Sequence, residues 1–574
     1  MRDIIDSEEP EGSIFNPSED SFEAFDSNFP SHCPSPNSED LAPLDAVQTF
    51  KLWQIFLDRV NPLIKIIHAP TIQPYIVQAA GDMSSIPLSY QGLLHSIFGV
   101  ASIALSDDEL LQILGLTRER ASQKFLSLTF QPLARFDFLK RYDMVVLQAL
   151  IHALVSPLLS FFPFPCSMLT YTQIILNSDD NRHAAWVLIG SLVRIAISMG
   201  YHRDGERLKL PPFETEMRRR IWWAIVTYDA KLTMACGFKH ITIPNDFDTK
   251  PPLNLNDADL FPDASGELQS REGPTEMGFV LIIYRLARYF LNEEARLTAE
   301  SNILGQTAMP DSPLDPQAVE RIILLVQTLD LDLKDIERRF ISATAGNAHA
   351  AALGIRPHII ARLRESLMPM QEHPEWGTEI FGPRDNLFKI MLSNFENITD
   401  ALTFMEPRGF AWFIRLNFHN EAVASLFSLL YQRPTGTLSD RGWVVLERTY
   451  AQNPELLNLS QRSNIAQAQF ALKAFDVREK AFAAAGHFLE VPSFIAQLRQ
   501  KLQPASSTTA TGPPSMAMDT GTPMSYPSMD FSPDGQFQTP DPNHGSLLTW
   551  NFWEGMGETG GGFGNGQQFP GGPF

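Results

Sequence analysis

A chain of 574 residues with 44% hydrophobic content is long enough for one large domain or several ordinary ones, and can bury a sizeable core. Its formal charge of −21 excludes a general nucleic-acid-binding surface, because phosphate contacts need clustered Lys and Arg. Three scattered cysteines (Cys33, Cys166 and Cys236) exclude a disulfide framework and point to a reducing intracellular compartment.

The first residues, "MRDIIDSEEPEG", have neither the basic start nor the apolar run of a secretory signal. Residues 1–45 are rich in Asp, Glu, Ser and Pro, with isolated Phe15, Phe22, Phe25 and Phe29. Such a segment buries too little apolar surface to offset its ordering entropy, which predicts an acidic disordered tail. Acids interleaved with aromatics are also the pattern of activation segments, so an activating role and a merely solvating one stand side by side.

From Ala46 to Leu502 the pattern is of successive helices. "VQTFKLWQIFLDRV" and "DELLQILGLTRERASQKFLSL" are amphipathic at helical period. Met144 to Ser178 holds no charged residue and is long enough to cross a bilayer. Gln148, His152 and Ser156 interrupt it, however, and Pro157, Pro163 and Pro165 break any continuous helix, so a buried core helix is expected.

Two helices follow, at Arg182–Met199 and Glu214–Cys236. In the first, Ala185, Leu188, Ile189, Leu192, Ala196 and Met199 share a face; Asp179, Asp180 or Asn181 caps its start and Gly200 suits a left-handed end. In the second, Met217, Ile221, Ala224, Tyr228 and Ala235 form the stripe. Glu214 and Glu216 suit the positive end of its dipole, and Gly237 stops it.

An acidic loop leads on to "EMGFVLIIYRLARYFL", "PQAVERIILLVQTLDLDLKDIERRFI", "DNLFKIMLSNFENITDALTFM" and "SNIAQAQFALKAFDVREKAFAAAGHFL". Gln306 to Pro316 is expected as a surface loop. Period-two alternation is nearly absent, and there is no fixed repeat and no long heptad zipper. The fold class expected is all-α: one large multi-helix regulatory domain over 46–502, flanked by disordered tails at 1–45 and 503–574. The last tail is rich in Pro, Gly, Ser, Thr and Met. Within it "LLTWNFWEGM" sets Trp550, Phe552 and Trp553 beside Glu554, a candidate coactivator contact, weighed against a hydrophobic patch of no consequence.

The central motifs carry a family resemblance. "AAWVLIGSLVRIAISMGYHRDGE" followed by "PPFETEMRRRIWWAIVTYD" resembles the signature of the fungal-specific transcription factor domain, the helical middle region of zinc binuclear-cluster regulators. "CGFKHITIPNDFDTKPPLNLNDADL" is similar to that family's loop. "VNPLIKIIHAPTIQPYI" and "LLHSIFGVASIALSD" resemble its earlier segments, and "FHNEAVASLFSLLYQRP" a later helix, so the core signature spans 60–434. The resemblance implies a structural signature made of Arg194, Glu216, Arg218, Arg219, Arg220, Trp222, Trp223 and Asp229. It also implies gene regulation in the nucleus, of a metabolic or secondary-metabolite gene set.

The family's DNA-reading module holds two zinc ions with six cysteines. Here only Cys33 precedes the helical region, no Cys-x-x-Cys occurs, and the first 50 residues hold one Arg and no Lys. No cofactor is therefore expected in this chain; zinc enters only with an upstream six-cysteine module. DNA association is expected to be indirect, through such residues or through a partner subunit. The partners expected are the transcription machinery or a coactivator, a second transcription factor and a small-molecule effector, with no membrane. The alternative is a finger-less binding protein that inhibits or co-regulates a full-length factor.

Arg218, Arg219 and Arg220 do not make a basic patch, since consecutive helical residues point about 100° apart. Structural ion pairs are expected instead, with Arg194 or one of these three meeting Glu216 or Asp229. An enzymatic role is not expected. The Asp-Asp-x-x-Asp spacing of a diphosphate cyclase fails at His183, and the two carboxylates of "NDADL" (Asn256–Leu260) have no partner segment in the sequence. Lone histidines such as His152, His202, His240 and His419 fit satisfied core residues. The segment "LLSFFPFP" and the loop Phe238–Leu260 are weighed as the lining of an effector cavity against ordinary core.

Overall fold

The computed structural model describes residues 42–155, 182–292, 316–367 and 383–502, apart from 236, 237, 239, 265, 416–419, 460 and 461. Nearly all of both expected tails, the Gln306–Pro316 loop except Pro316, "LLSFFPFP" and His419 lie outside these residues. Among the described residues there are helices and turns and no strand, so the fold is all-α.

Helix α1 (Ala46–Ile55) begins at Asp45, whose carboxylate accepts the Gln48 N–H at 2.7 Å while the Gln48 side chain accepts the Asp45 N–H at 3.2 Å. It passes through a single π turn (Phe56–Val60) into the short α2 (Asn61–Ile64), which ends at a left-handed Lys65 with φ of 45°. Helices α3 (Ala69–Gly81) and α4 (Leu88–Ile103) follow. The stretch expected as one amphipathic unit after Asp107 is two helices, α5 (Asp107–Leu114) and α6 (Arg118–Arg135). Gly115 takes φ of 66°, which ends α5, and Thr117 caps α6.

Next come α7 (Met144–Val155), α8 (Arg182–Ser198), α9 (Pro212–Ala235) and α10 (Gly278–Phe290). They are followed by α11 (Pro316–Phe340), α12 (Asn347–Leu367), α13 (Pro383–Met405) and the short α14 (Ala411–Arg415). The last four are α15 (Asn420–Gln432), α16 (Thr437–Gln452), α17 (Arg462–Ala484) and α18 (Ser493–Leu502).

The described residues fall into two compact units. The first runs to residue 58 and resumes from 67 to 200; the second takes 59–66 and everything from 201 onward. In the first unit α4 is the centre, packed by α1, α6 and α7. Leu93, Leu94, Ile97 and Phe98 of α4, Phe125 and Leu133 of α6, and Val146, Leu147 and Leu150 of α7 are all buried. The charge-free run therefore begins as a core helix, and no described helix is long and apolar enough to cross a membrane. His152 departs from expectation. It is fully buried against the edge of Phe56, ring centroids 5.5 Å apart, and neither of its ring nitrogens has a hydrogen-bond partner.

In the second unit α10 packs on α9, α11 and α12. Farther along, α13 and α15 to α18 close around an aromatic cluster, with Tyr450 stacked on Phe494 at 4.3 Å and Trp443 edge-on to Phe475 at 5.1 Å.

Candidate functional site

The best-defined polar construction of the second unit is helix α9 and the loop that runs along it. Pro212 opens the helix in the first turn, where a missing N–H costs nothing. Burial extends beyond the stripe expected from periodicity. Trp222, Trp223, Ile225 and Val226 are buried along with Met217, Ile221 and Ala224. The physical reason is that the loop from Thr242 to Asp257 occupies a flank that the sequence pattern would leave to solvent.

That loop contains Pro244, Pro251 and Pro252, which donate no hydrogen bond and rule out a regular ladder. Its backbone groups still need partners, and side chains of α9 supply them. Asp229 accepts the N–H groups of Thr242 at 2.7 Å and Ile243 at 3.0 Å. The Trp223 indole N–H donates to the Lys250 carbonyl at 3.0 Å. Glu216 accepts the Leu253 N–H on both oxygens, at 3.1 and 3.2 Å. Glu216, Arg220 and Trp223 stand at i, i+4 and i+7, so one helical face holds the middle and end of the loop.

The turn before α9 is stitched in as well. The Tyr201 carbonyl accepts the Thr249 hydroxyl at 2.6 Å, and the His202 carbonyl accepts the Asp248 N–H at 3.1 Å. Arg219 grips Asp204 with two bonds, Nε–Oδ2 at 2.9 Å and Nη2–Oδ1 at 2.7 Å, and reaches Glu206 at 2.7 Å. Asp204 also accepts the Lys250 N–H at 2.9 Å. Gly205 must be glycine here: a Cβ would stand 2.4 Å from the Thr215 hydroxyl and 2.9 Å from its Cα.

At the end of the loop stands buried Asp257. Its Oδ1 accepts Arg220 Nη1 at 2.8 Å and its Oδ2 accepts Lys65 Nζ at 2.7 Å. Lys65 also meets Glu276. The side chains of Lys65 and Arg220 are wholly inaccessible to solvent. Burial alone would push the Asp257 carboxyl up, but the two cations overcome it and hold it down at about 2. Glu216 shows the opposite balance. Burial raises its carboxyl above the ordinary range despite Arg220, whose Nε lies 3.5 Å away. The Tyr284 hydroxyl closes the cluster by donating to the Arg220 carbonyl at 3.3 Å, and burial pushes this phenol up too. The cluster pairs Lys65, Arg220 and Asp257 out of reach of water and comes to the surface at half-exposed Glu276. It fixes the loop on the helix.

The three consecutive arginines go to three different acids: Arg218 to Glu214 at 2.9 Å, Arg219 to Asp204, and Arg220 to Asp257. Asp229 serves backbone N–H groups of the loop, and Arg194 is exposed on α8. Trp222 is fully buried, edge-on to Phe247 at 5.6 Å, and its indole N–H has no hydrogen-bond partner. Trp550, Phe552 and Trp553 lie outside the described residues. The sequence pattern missed Lys65, Asp204 and Asp257. Asp257 belongs to the "NDADL" acids expected to lack a partner; its partners are Arg220 and, 192 positions away, Lys65. The one available signal for Lys65 was a single cation in the apolar run "VNPLIKIIHAP". Among the described residues no group of three or more His, Cys, Asp or Glu is placed to hold a metal ion.

Residues 53–338 match the family model of the fungal specific transcription factor domain. This part of the chain, including all of α9 and its loop, is such a domain, as the central motifs imply. The match ends before the segment near 418–434 that also resembles the family. Over 510 residues the chain is 37% identical to "Pyriculol/pyriculariol biosynthesis cluster transcription factor 1" of Pyricularia oryzae, covering 87% of this chain and 64% of that protein. It is 28% identical over 438 residues to "Aurofusarin cluster transcription factor aurR2" of Gibberella zeae, covering 75% and 60% of the two chains. To "Transcriptional regulator AacuB" of Aspergillus aculeatus it is 26% identical over 451 residues, covering 78% and 57%. The chain thus spans about three fifths of the length of these curated relatives.

Proposed function

We propose that this chain regulates transcription of a fungal gene cluster for a secondary metabolite, acting in the nucleus and without enzymatic chemistry. The observation that carries this is the similarity to a cluster transcription factor along 87% of the chain, through the whole regulatory domain rather than one motif. The helical body receives a partner or small effector, and its state is passed to the transcription machinery by the terminal segments, with Trp550, Phe552 and Trp553 as the coactivator contact. DNA is reached through residues beyond this sequence or through a partner subunit. The second reading is a protein that binds and restrains a full-length factor.

The test is a fusion of the full chain to a foreign DNA-binding domain on a reporter. Raised output that falls when Leu547–Met556 is deleted supports the activator. An inert fusion that lowers the output of a co-expressed full-length regulator supports the restraining protein. A fusion that changes neither output overturns both.

A further inference from the structure

Helix α11 turns Ile322, Val326, Leu329 and Leu333 inward, against α10 and α12. Its opposite face is where a 25-residue helix should carry only polar groups. Instead Leu324 is 62% exposed, Leu331 is 65% exposed and Ile323 is 42% exposed. Leu324 and Leu331 lie seven residues apart, two turns along one line, with exposed Gln327 and Thr328 between them. Single exposed leucines need no explanation; an aligned pair with an adjoining isoleucine marks a contact face.

The charges around this face identify what fits it. Before the apolar strip stand exposed Glu320 and Arg321; after it stand Lys334, Asp335 and Arg338. We propose that α11 pairs antiparallel with α11 of a second copy of this chain, about a two-fold axis between Gln327 and Thr328. That axis sets Leu324 beside Leu331 of the partner subunit, and Leu331 beside the partner's Leu324, which is the reciprocity a two-fold interface demands. It brings Arg321 toward the partner's Asp335, and Glu320 toward the partner's Lys334 and the partner's Arg338. A parallel pairing would set Glu320 on the partner's Glu320 and Arg321 on the partner's Arg321.

Lys334 pairs with Asp330 at 3.0 Å, but buried Asp330 is also held by Arg356 and Arg364 and stays paired when Lys334 leaves; the exposed Arg338–Asp335 pair at 2.6 Å is exchanged at little cost. Two leucine layers bury less surface than a permanent dimer requires, so the dimer is concentration-dependent.

The test is the mass of the full-length chain by light scattering and sedimentation across a wide concentration range. The expected result is a rise from one chain to two, abolished by the double variant Leu324→Glu with Leu331→Glu at unchanged helical circular dichroism. Asp335→Arg alone should weaken the dimer, and adding Arg321→Asp should restore it. This charge exchange also keeps the proposal open to refutation if the double variant misfolds. In mixtures, Leu324→Cys and Leu331→Cys chains should cross-link to each other faster than either does to itself. A chain that stays single at every concentration overturns the proposal. So does a dimer indifferent to these substitutions, or faster self-cross-linking of Leu324→Cys.

Discussion

The core of the first unit and the α9 cluster of the second bury polar groups in opposite ways. Around α4 and α7 the surroundings are apolar, and His152 is kept there neutral, without a hydrogen-bond partner, its pKa pushed down by burial to about 3. Around α9 Lys65, Arg220 and Asp257 are ionised and paired, Asp257 being held ionised between the two cations. Neutralisation removes the cost of burying a charge at the expense of an unsatisfied group. Pairing keeps the charge, and makes each member depend on the others. His152 is therefore expendable, whereas Lys65, Arg220 and Asp257 require one another.

The sharpest way to break this comparison is Asp257→Ala, which leaves Lys65 and Arg220 buried without their shared carboxylate. A loss of about 3–5 kcal/mol is expected from urea unfolding followed through hydrogen exchange of α9. A loss below about 1 kcal/mol would show that water already reaches the cluster. Glu216→Ala comes next. It strips the acceptor from the Leu253 N–H and should cost about 1–3 kcal/mol, seen as a lowered melting temperature. An unchanged melting temperature would mean that the loop is held by its other ties alone.

Acid should separate the two regions without any substitution. His95, lowered by burial to about 4, and His152, at about 3, both titrate below the ordinary 6.5. Their neutral forms contribute stability that is complete above 6.5 and drains away as pH falls toward 3, because the unfolded chain takes up protons first. Asp257 contributes stability that is complete above 3.8 and is lost only between there and about 2. Glu216, raised by burial, shifts the other way and contributes stability as it protonates. Pulsed hydrogen exchange at pH 5, corrected for intrinsic rates, should find α4 and α7 less protected than at pH 7 and α9 little changed. Equal loss in both would refute the distinction. The smallest effect expected is from His152→Leu, an apolar replacement of an unpartnered ring, which should shift stability by less than about 1 kcal/mol, in either direction.

The helices were legible in the sequence because amphipathic helices repeat every few residues, and that periodicity is a local property. Even the fanning of Arg218, Arg219 and Arg220 to separate acids follows from 100° per residue. What stayed hidden was non-local or polar-for-polar. The break at Gly115 hides inside an unbroken apolar pattern, because a left-handed glycine interrupts the chain without changing its hydrophobicity. Asp257 looked like a stray loop acid because nothing in its neighbourhood announces a lysine almost two hundred positions earlier. The all-round burial of α9 escaped as well, since an amphipathic stripe reports the face that meets other helices and not the face covered by a proline-rich loop.

The second unit borrows residues 59–66 from a stretch whose sequence neighbours on both sides belong to the first. As the chain leaves the ribosome, Lys65 emerges long before Asp257, and Arg59 waits 353 positions for Trp412, whose indole N–H donates to its carbonyl at 3.0 Å. Contacts of such separation make folding slow, because loop-closure entropy must be overcome before they form. The second unit therefore completes only after synthesis has passed α14, while the first has all of its described residues once Gly200 has emerged. A nascent chain of this protein spends that interval half-built, with a lysine destined for the core still in water, and any shortened version that begins after Ile66 leaves Asp257 and Glu276 without that lysine.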